Sequence, residues 1–323
     1  MKEVKIGAEL EAGLLRGGLP AKTLEVLNGG FKSDEFPFEG VTSDLAESSI
    51  EFITTPCEDA QAMRASLARC LARVPEGYEV RYGMRPLGCS VAIAPKPRYP
   101  ACNAALLREH PNGAASNDSV APWASLQFHF GTDDPYSPSS ILLLDCLNNS
   151  GPYIRKQLID RYRVEDTAGH VACWLGWSIP QRVPAPRWFG HGENLKRFIG
   201  SIPKLVTEQD GFWMPAAEGT PSRLEDPEAQ SSIWWLARPR IFKSGSTVEL
   251  RCLPSITPEQ TGEVADEMFA IAHAFNDWTD AHRGRCWGTR MNARELFTHL
   301  SKVSPLVPKE PLSDKAWWDI ARQ

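Results

Sequence analysis

Four short segments of the sequence alternate between apolar and polar residues, and their polar positions carry glutamate, histidine or glutamine. The segments are 4–11, 49–54, 126–130 and 247–252. A period of two places successive side chains on opposite faces of a β-strand, so each segment is predicted to be a strand with one apolar face. A sheet with one solvated face alternates in the same way, but solvated faces usually carry Thr, Lys, Arg and Gln, and glutamate forms strands poorly. The residue types therefore indicate that the polar faces serve a specific function.

These polar faces bring several carboxylates together if the four strands lie in one sheet. The glutamates concerned are Glu9, Glu11, Glu51 and Glu249. Such crowding of negative charge costs free energy unless cations neutralise it. Mg²⁺ prefers carboxylate oxygens and water and is commonly shared with nucleotide phosphates, and the imidazole of His129 also admits Mn²⁺. The pattern thus indicates the outline of a site for a nucleotide and a divalent metal.

The composition is that of a globular protein with a full core and no basic excess. The chain has 323 residues, of which 42% are hydrophobic and 23% are charged, and its formal net charge is −5. A protein whose main task is to hold a nucleic-acid backbone through counterion release is usually basic, so that class is not expected here. The sequence has no internal repeat and no low-complexity linker, which predicts a single domain over residues 1–323.

The sequence predicts a cytoplasmic protein that does not enter a membrane. The first 15 residues carry three glutamates in place of a basic segment followed by an apolar stretch, which is unlike a secretory signal. No apolar run approaches the roughly 18 residues that a membrane-spanning helix needs. The eight cysteines include no C-x-x-C pair, which fits buried thiols in a reducing compartment.

Two capping patterns predict helices. The sequence TPCE at 55–58 is a capping box with proline at the first helical position, and it predicts a helix over 56–74. A second box, TPEQ at 257–260, predicts a helix that ends at Gly284. We therefore expect a helical C-terminal portion from about residue 257.

A further helix is predicted over 140–162, where apolar residues dominate the first turns. Proline inside a helix removes a backbone donor and clashes with the preceding turn. Because Pro152 follows a run of Asn, Ser and Gly, this helix is predicted to be interrupted or to end near 149–152.

Four motifs, in this order along the chain, resemble those of the glutamate–cysteine ligases and the related carboxylate–amine ligases. Residues 7–11 (GAELE) look like the G-x-E-x-E opening of that family, and residues 44–54 (DLAESSIEFIT) are similar to its D-x-x-E-x-x-x-E-F-I-T stretch. Residues 127–131 (QFHFG) resemble the short strand that carries the family's metal-binding histidine, and residues 247–251 (TVELR) resemble its T-x-E-x-R strand. The second motif is the most specific of the four.

The resemblance implies an α+β fold of the glutamine-synthetase type, in which a curved, mainly antiparallel sheet forms an active-site funnel and helices pack on its outer face. It also implies an ATP-dependent amidoligase: ATP phosphorylates a carboxylate, an amine attacks the acyl phosphate, and ADP, phosphate and an amide are released. The implied partners are ATP, Mg²⁺ or Mn²⁺, and small-molecule carboxylate and amine substrates, with glutamate or another amino acid among them. Phosphoryl transfer needs positioning and charge neutralisation more than a protein nucleophile, which agrees with these residue types.

By motif position, the resemblance also implies the roles of individual residues. The implied metal ligands are Glu9, Glu11, Asp44, Glu51, His129 and Glu249. Arg251 is implied to contact the transferred phosphoryl group. Glu47 shares the face of Glu51 but could lie in the preceding loop. It is a direct ligand, a carboxylate that supports the ligands, or a surface residue.

Three more residues are candidates for substrate binding because of their positions. Gln127 lies two residues before His129 on the same face, where it could bind substrate or orient a neighbour. Arg238 and Arg240 flank Pro239 just before the fourth strand. They could bind a substrate carboxylate through two parallel hydrogen bonds, or they could form a solvated basic loop.

Two other classes of function stay open at the level of the sequence. A metal-dependent hydrolase could use the carboxylates and His129 to activate water, although the sequence has no H-x-x-x-H or H-x-D pattern. A non-catalytic relative could bind nucleic acid or protein through the basic and aromatic stretch 282–290. The acceptor could be a free amino acid, a peptide or a macromolecule such as a modified nucleic acid. The oligomeric state also stays open, and a homo-oligomer is possible.

Overall fold

The computed structural model describes residues 4–28, 30–32, 39–42, 48–83, 124–164, 185–204, 206–209, 212–217, 219–226, 233, 235–242, 245–282 and 290–322. Within these ranges the strands are β1 (Ile6–Arg16), β2 (Leu19–Pro20), β3 (Phe31–Lys32), β4 (Gly40–Thr42), β5 (Ser49–Ile53), β6 (Glu79–Arg81), β7 (Ser125–Thr132), β8 (Val206–Gln209), β9 (Phe212–Pro215), β10 (Ala237–Phe242) and β11 (Gly245–Pro254). The helices of the same ranges are α1 (Thr23–Val26), α2 (Ala60–Leu71), α3 (Pro138–Tyr162), α4 (Gly192–Gly200), α5 (Pro258–Ala281), α6 (Arg290–Leu300) and α7 (Asp314–Ala321). None of these described helices combines the length and the apolarity that crossing a bilayer requires.

Nine of the described strands form one antiparallel sheet. The strand order is β10-β11-β7-β1-β5-β4-β3, and β2 and β6 also pair with β1. The tight turn from β1 to β2 uses Gly17 and Gly18 at φ of 57° and 78°, which glycine adopts without steric cost. The strands β8 and β9 pair separately. Helices combined with an antiparallel sheet confirm the α+β class, and the main sheet does not close into a barrel because its order ends at β10 and β3.

The alternation predicted from the sequence is confirmed on the central strands. Their apolar positions, among them Leu10, Phe52 and Phe128, are buried in the core. Helix α3 packs against β10 and β11, and α2 packs against β5 and α5. Since successive side chains of a strand point to opposite faces, the predicted site residues lie on the face of the sheet opposite to this core.

Helix α2 begins later than the motif at 55–58 predicts. The backbone of Cys57 pairs with that of Ile6 on β1 in both directions, with N···O distances of 2.9 Å. This pairing keeps the chain extended, so the helix starts only after Asp59, whose side chain caps it. In contrast, α5 begins at Pro258, where the second motif predicts it, and its capping box is formed.

Helix α3 continues through Pro152, so the predicted interruption is wrong. A proline at this position cannot donate the helical hydrogen bond to the carbonyl of Asn148, four residues before it. The indole Nε1 of Trp317 on α7 donates to that carbonyl at 2.8 Å. The carbonyl that Pro152 leaves without its helical donor is thus satisfied by a residue far along the chain, and the helix does not end.

A row of polar side chains on α3 connects this buried helix to three distant segments. Asp145 accepts two backbone N–H groups of the loop before α4, each at 2.9 Å. Asn148 accepts the N–H of Ala237 at the start of β10, at 3.0 Å. Asn149 exchanges two hydrogen bonds with the backbone of Leu312 before α7. Spacings of three and four residues put these side chains on one helix face, so α3 fixes the position of the edge strand β10.

Replacing Trp317 by phenylalanine should destabilise the protein by about 1–3 kcal/mol, because the carbonyl of Asn148 stays buried without a donor. Pro152→Ala restores a helical N–H to the same carbonyl, so Trp317→Phe should cost clearly less in a Pro152→Ala background. Chemical denaturation of the single and double variants measures this coupling. Equal costs in the two backgrounds would mean that the indole does not replace the missing helical donor.

The buried carboxyl of Asp145 should make stability depend on pH. Burial raises its pKa to about 7, although the two backbone N–H groups that it accepts oppose the shift. Because an unfolded Asp titrates near pH 4, the stabilising contribution of protonated Asp145 is complete below about pH 4 and is lost as the pH rises through about 7. Relative to Asp145→Asn, the wild type should therefore lose thermal stability between about pH 5 and about pH 8. Melting temperatures that differ by a constant amount over this range would exclude the effect.

Candidate functional site

The register of the sheet brings the predicted site residues to one face. Residues that lie directly opposite each other on neighbouring strands share a face. The opposed pairs are Glu11–Glu51 on β1 and β5, Glu9–Gln127 on β1 and β7, His129–Glu249 on β7 and β11, and Arg238–Glu249 on β10 and β11. Five neighbouring strands therefore contribute to a single polar face.

Three side chains of this face, Glu9, His129 and Glu249, could hold a metal ion. They offer ligand atoms that all lie within 4.8 Å of one another. Nε2 of His129 is buried and lies 3.1 Å from Oε1 of Glu9. Neighbouring ligands of an octahedral ion, bound at about 2.1 Å, are about 3 Å apart, so these two atoms have the spacing of ligands to one ion. Two carboxylates and one imidazole suit Mg²⁺ or Mn²⁺.

Both carboxylates of this group are ionised, as metal ligands must be. Burial works against ionisation of Glu9, but His129 and Arg240 outweigh it and lower the pKa of Glu9 to about 2. Burial also opposes ionisation of Glu249, yet three neighbouring arginines hold its pKa below the usual range. The two side chains therefore carry negative charge at neutral pH.

The three arginines surround the carboxylate of Glu249, which is fully buried. Arg238 makes the closest contact, through Nε at 2.6 Å and Nη2 at 3.2 Å. Nε of Arg251 lies 3.1 Å from the same carboxylate, and Nε of Arg240 lies 3.5 Å from it. A buried carboxylate needs such partners because its desolvation is costly. Guanidinium groups also match the geometry of phosphate and carboxylate oxygens, so this cluster could bind an anionic substrate group.

Arg240 connects the two carboxylates of the candidate metal group. Its Nη1 lies 3.4 Å from Oε1 of Glu9, and its Nε lies 3.5 Å from Oε2 of Glu249. The guanidinium also stacks on the ring of Phe242, 4.9 Å from the centroid. That ring in turn meets the imidazole of His129 edge to face, with the centroids 6.2 Å apart. Burial opposes the charge of Arg240, but the surrounding carboxylates raise its pKa, so the side chain stays a cation.

Glu11 is hydrogen-bonded within the sheet. Its Oε2 accepts the N–H of Ser125 at 2.8 Å, and its Oε1 accepts Nε2 of Gln127, also at 2.8 Å. Two predicted site residues, Glu11 and Gln127, are thus partners of each other. Glu51 lies opposite Glu11 on β5 and is partly exposed. Neither glutamate belongs to the group of ligand atoms that gathers at His129.

Some predicted residues lie outside the described ranges, and some neighbours of the site were missed. Asp44, Glu47 and residues 283–289 of the basic and aromatic stretch are outside the described residues. The neighbours that sequence reasoning missed are Ser125, Thr247 and Phe242, of which Thr247 places Oγ1 3.4 Å from Nδ1 of His129. Each shares the period-two face of a predicted residue on its own strand, so the same periodicity could have identified it.

Comparisons with known proteins give weak structural similarities. The sequence matches no protein-family model and no curated protein. The structure is similar to that of a bifunctional glutathione synthetase from Pasteurella multocida, with 13% identity, a TM-score of 0.41, and coverage of 99% of this chain and 46% of that chain. It is also similar to a glutamate–cysteine ligase from Francisella tularensis in complex with AMP, with 13% identity, a TM-score of 0.45, and coverage of 99% and 80%. This chain spans less than half the length of the first of these proteins.

Replacing Glu249 by glutamine should destabilise the protein by about 3–5 kcal/mol, because three guanidinium groups lose their buried counter-charge. Glu51→Gln is the matched control, since it makes the same change at a partly exposed carboxylate of β5 and should cost about 1 kcal/mol or less. Urea denaturation of both variants measures the difference. If the two variants are equally stable, the arginines do not depend on Glu249.

Proposed function

We propose that this chain is an ATP-dependent ligase that joins a carboxylate to an amine. In the proposed reaction the γ-phosphoryl group of ATP is transferred to a carboxylate oxygen of the substrate, which gives an acyl phosphate and ADP. The amine nitrogen then attacks the acyl carbon, the amide bond forms as phosphate leaves with its bonding electron pair, and the amine loses a proton. The observation that carries this proposal is the direct contact between candidate metal ligands and three arginines on one face of the sheet.

Glu9, His129 and Glu249 are the residues that would hold a magnesium or manganese ion in this ligase. Such an ion, when bound, neutralises charge on the nucleotide phosphates. The two ionised carboxylates supply oxygen ligands, and the buried imidazole supplies a nitrogen ligand at Nε2. Thr247 contacts the other ring nitrogen of His129, which orients the imidazole so that Nε2 faces Glu9.

The three arginines supply fixed positive charge beside the metal group. Arg251 is the proposed catalytic residue, because its guanidinium lies against Glu249 and could stabilise charge on a phosphoryl group bound there. Arg238 is committed to Glu249 through two short contacts, and it also donates to the carbonyl of Ile233 at 3.0 Å. Its proposed role is therefore to hold Glu249 in position. Arg240 is more exposed, which supports a role in binding the anionic group of a substrate.

The sequence motifs support the same function through their resemblance to carboxylate–amine ligases. The resemblance adds Glu11, Asp44 and Glu51 as metal ligands, and Glu11 and Glu51 lie opposite each other beside the metal group. We propose that the polar face forms the wall of the active-site funnel. The hydrogen bond from Gln127 to Glu11 supports the interpretation of Gln127 as an orienting residue. An amino acid such as glutamate stays the proposed carboxylate substrate.

The arginine cluster also separates this proposal from the hydrolase alternative. A metal-dependent hydrolase needs ligands for the ion and room for a water molecule. It does not need three guanidinium groups around one ligand, whereas transfer of a phosphoryl group benefits from cations on all sides of the phosphate oxygens. The geometry therefore favours phosphoryl transfer as the chemistry of this face.

Given ATP, Mg²⁺ and a pool of amino acids and amines, the protein should form an amide together with equal amounts of ADP and phosphate. Oxygen-18 placed in the substrate carboxylate should appear in the released phosphate, because the phosphoryl group leaves with that oxygen. With the amine omitted, hydroxylamine should intercept the acyl phosphate as a hydroxamate. Mass spectrometry of nucleotides, products and phosphate measures each outcome.

Two histidine variants control this experiment. His129→Ala removes the imidazole of the metal group and should abolish turnover. His273→Ala makes the same change at an exposed position of α5 and should leave turnover intact. Formation of AMP, or phosphate free of label during amide synthesis, would contradict the acyl-phosphate route. The absence of any product dependent on ATP would contradict the ligase function itself.

A further inference from the structure

Arg240 contacts two carboxylates that are also candidate ligands of a divalent cation. The Oε1 atom of Glu9 that lies 3.4 Å from Nη1 of Arg240 is the same atom that lies 3.1 Å from Nε2 of His129. An ion held by Glu9 and His129 would therefore lie close to a guanidinium group of the same sign of charge. The other end of the guanidinium contacts Glu249, the third residue of the candidate metal group. A bound metal ion and Arg240 thus compete for the same carboxylates.

The contacts of Arg240 with the two carboxylates are longer than those of the other two arginines with Glu249. Arg240 lies 3.4 Å from Glu9 and 3.5 Å from Glu249, whereas Arg238 lies 2.6 Å and Arg251 3.1 Å from Glu249. Its side chain is 20% exposed, whereas those of Arg238 and Arg251 are 9% and 12% exposed. Charge-assisted hydrogen bonds are usually about 2.7–2.9 Å long, so the contacts of Arg240 are weak examples. Of the three, Arg240 can leave the carboxylates at the lowest cost.

We infer that Arg240 is an exchangeable counter-ion that couples the binding of the metal to the binding of the nucleotide. While no metal is bound, Arg240 neutralises Glu9 and Glu249. When a metal–nucleotide complex binds, the metal takes over these carboxylates and Arg240 turns to a phosphate oxygen. This role rests on the proposed function. It adds that metal alone binds poorly, because Arg240 then loses its contacts with Glu9 and Glu249 without gaining a phosphate oxygen. Coupling between two ligands is reciprocal, so the nucleotide and the metal strengthen each other's binding.

Two affinities of the purified protein test this role. The affinity for Mn²⁺ alone is measured by electron paramagnetic resonance of the free ion. The affinity for ADP in the presence of EDTA is measured by calorimetry. Arg240→Gln should bind Mn²⁺ on the order of tenfold more tightly than the wild type, because the competing charge is gone. The same variant should bind metal-free ADP on the order of tenfold more weakly, because a phosphate partner is lost. General damage to the site would weaken both affinities, so changes in opposite directions identify the exchange.

Two further variants serve as controls. Arg240→Lys keeps the charge and should bind Mn²⁺ about as the wild type does. Arg322→Gln makes the same change in net charge at an exposed residue after α7, and it should alter neither affinity. If Arg240→Gln does not fold, Arg240→Met removes the charge while keeping an unbranched apolar stem, and it is measured in its place.

An Mn²⁺ affinity that does not change in Arg240→Gln, or that rises equally in Arg322→Gln or Arg240→Lys, would overturn the inference. Loss of both affinities would assign Arg240 a structural role and would overturn it as well. These measurements do not depend on turnover. Failure of the wild type to make an amide would contradict the proposed function, whereas normal amide synthesis with an unchanged metal affinity in Arg240→Gln would contradict the exchange alone.

Discussion

The polar face of the sheet depends on the buried ion cluster at Glu249. A carboxylate without access to water is stable only while its cationic partners stay in place. Arg238 and Arg240 come from β10, and Arg251 comes from β11 itself, so the pairing of these two strands assembles the cluster. Because β10 is the end of the strand order, its departure would leave Glu249 buried without most of its counter-charge. The hydrogen bond that Ala237, at the start of this strand, donates to Asn148 on α3 therefore supports the site from the opposite face of the sheet.

The described site residues partly neutralise one another's charges. Crowded carboxylates require cations, and the sequence alone led to metal ions as those cations. The structure adds guanidinium groups, which already neutralise part of the charge on Glu9 and Glu249. The candidate metal ligands and the arginines proposed to bind phosphate are therefore not separate regions of this face, because Glu9 and Glu249 belong to the first group and contact the second. A ligand that brings both a metal ion and an anion can neutralise the carboxylates and the arginines at once. A metal ion alone or an anion alone can neutralise only one of these two groups.

The sequence predicts the structural features that depend on a pattern of neighbouring residues. Its predictions are wrong where contacts with distant parts of the chain decide the structure. Period-two alternation identified the four strands β1, β5, β7 and β11 and placed Glu9, His129 and Glu249 on polar faces, because the alternation of side chains is a local property of a strand. The late start of α2 and the continuity of α3 through Pro152 depend on backbone and side-chain partners elsewhere in the chain. The contacts of the arginines with Glu9 and Glu249 depend on which strands lie next to each other in the sheet, and the pattern within one strand does not specify its neighbours. The assigned roles of these residues stay predictions, as do those of Asp44 and Glu47 outside the described ranges.

Glu9 and its partner Arg240 lie far apart along the chain, and this separation affects the state of β1 during synthesis. Arg240 follows Glu9 by 231 residues, so a chain synthesised from its N-terminus exposes β1 long before β10 exists. Strand β7, which pairs with residues 6–10 of β1, also comes late, and this part of β1 therefore has an unpaired edge on the nascent chain. Unpaired edges with apolar side chains invite aggregation, and charged residues on a strand oppose it. Glu9 and Glu11 place acidic side chains on this strand, and such residues oppose aggregation of the growing chain before β7 and β10 are synthesised.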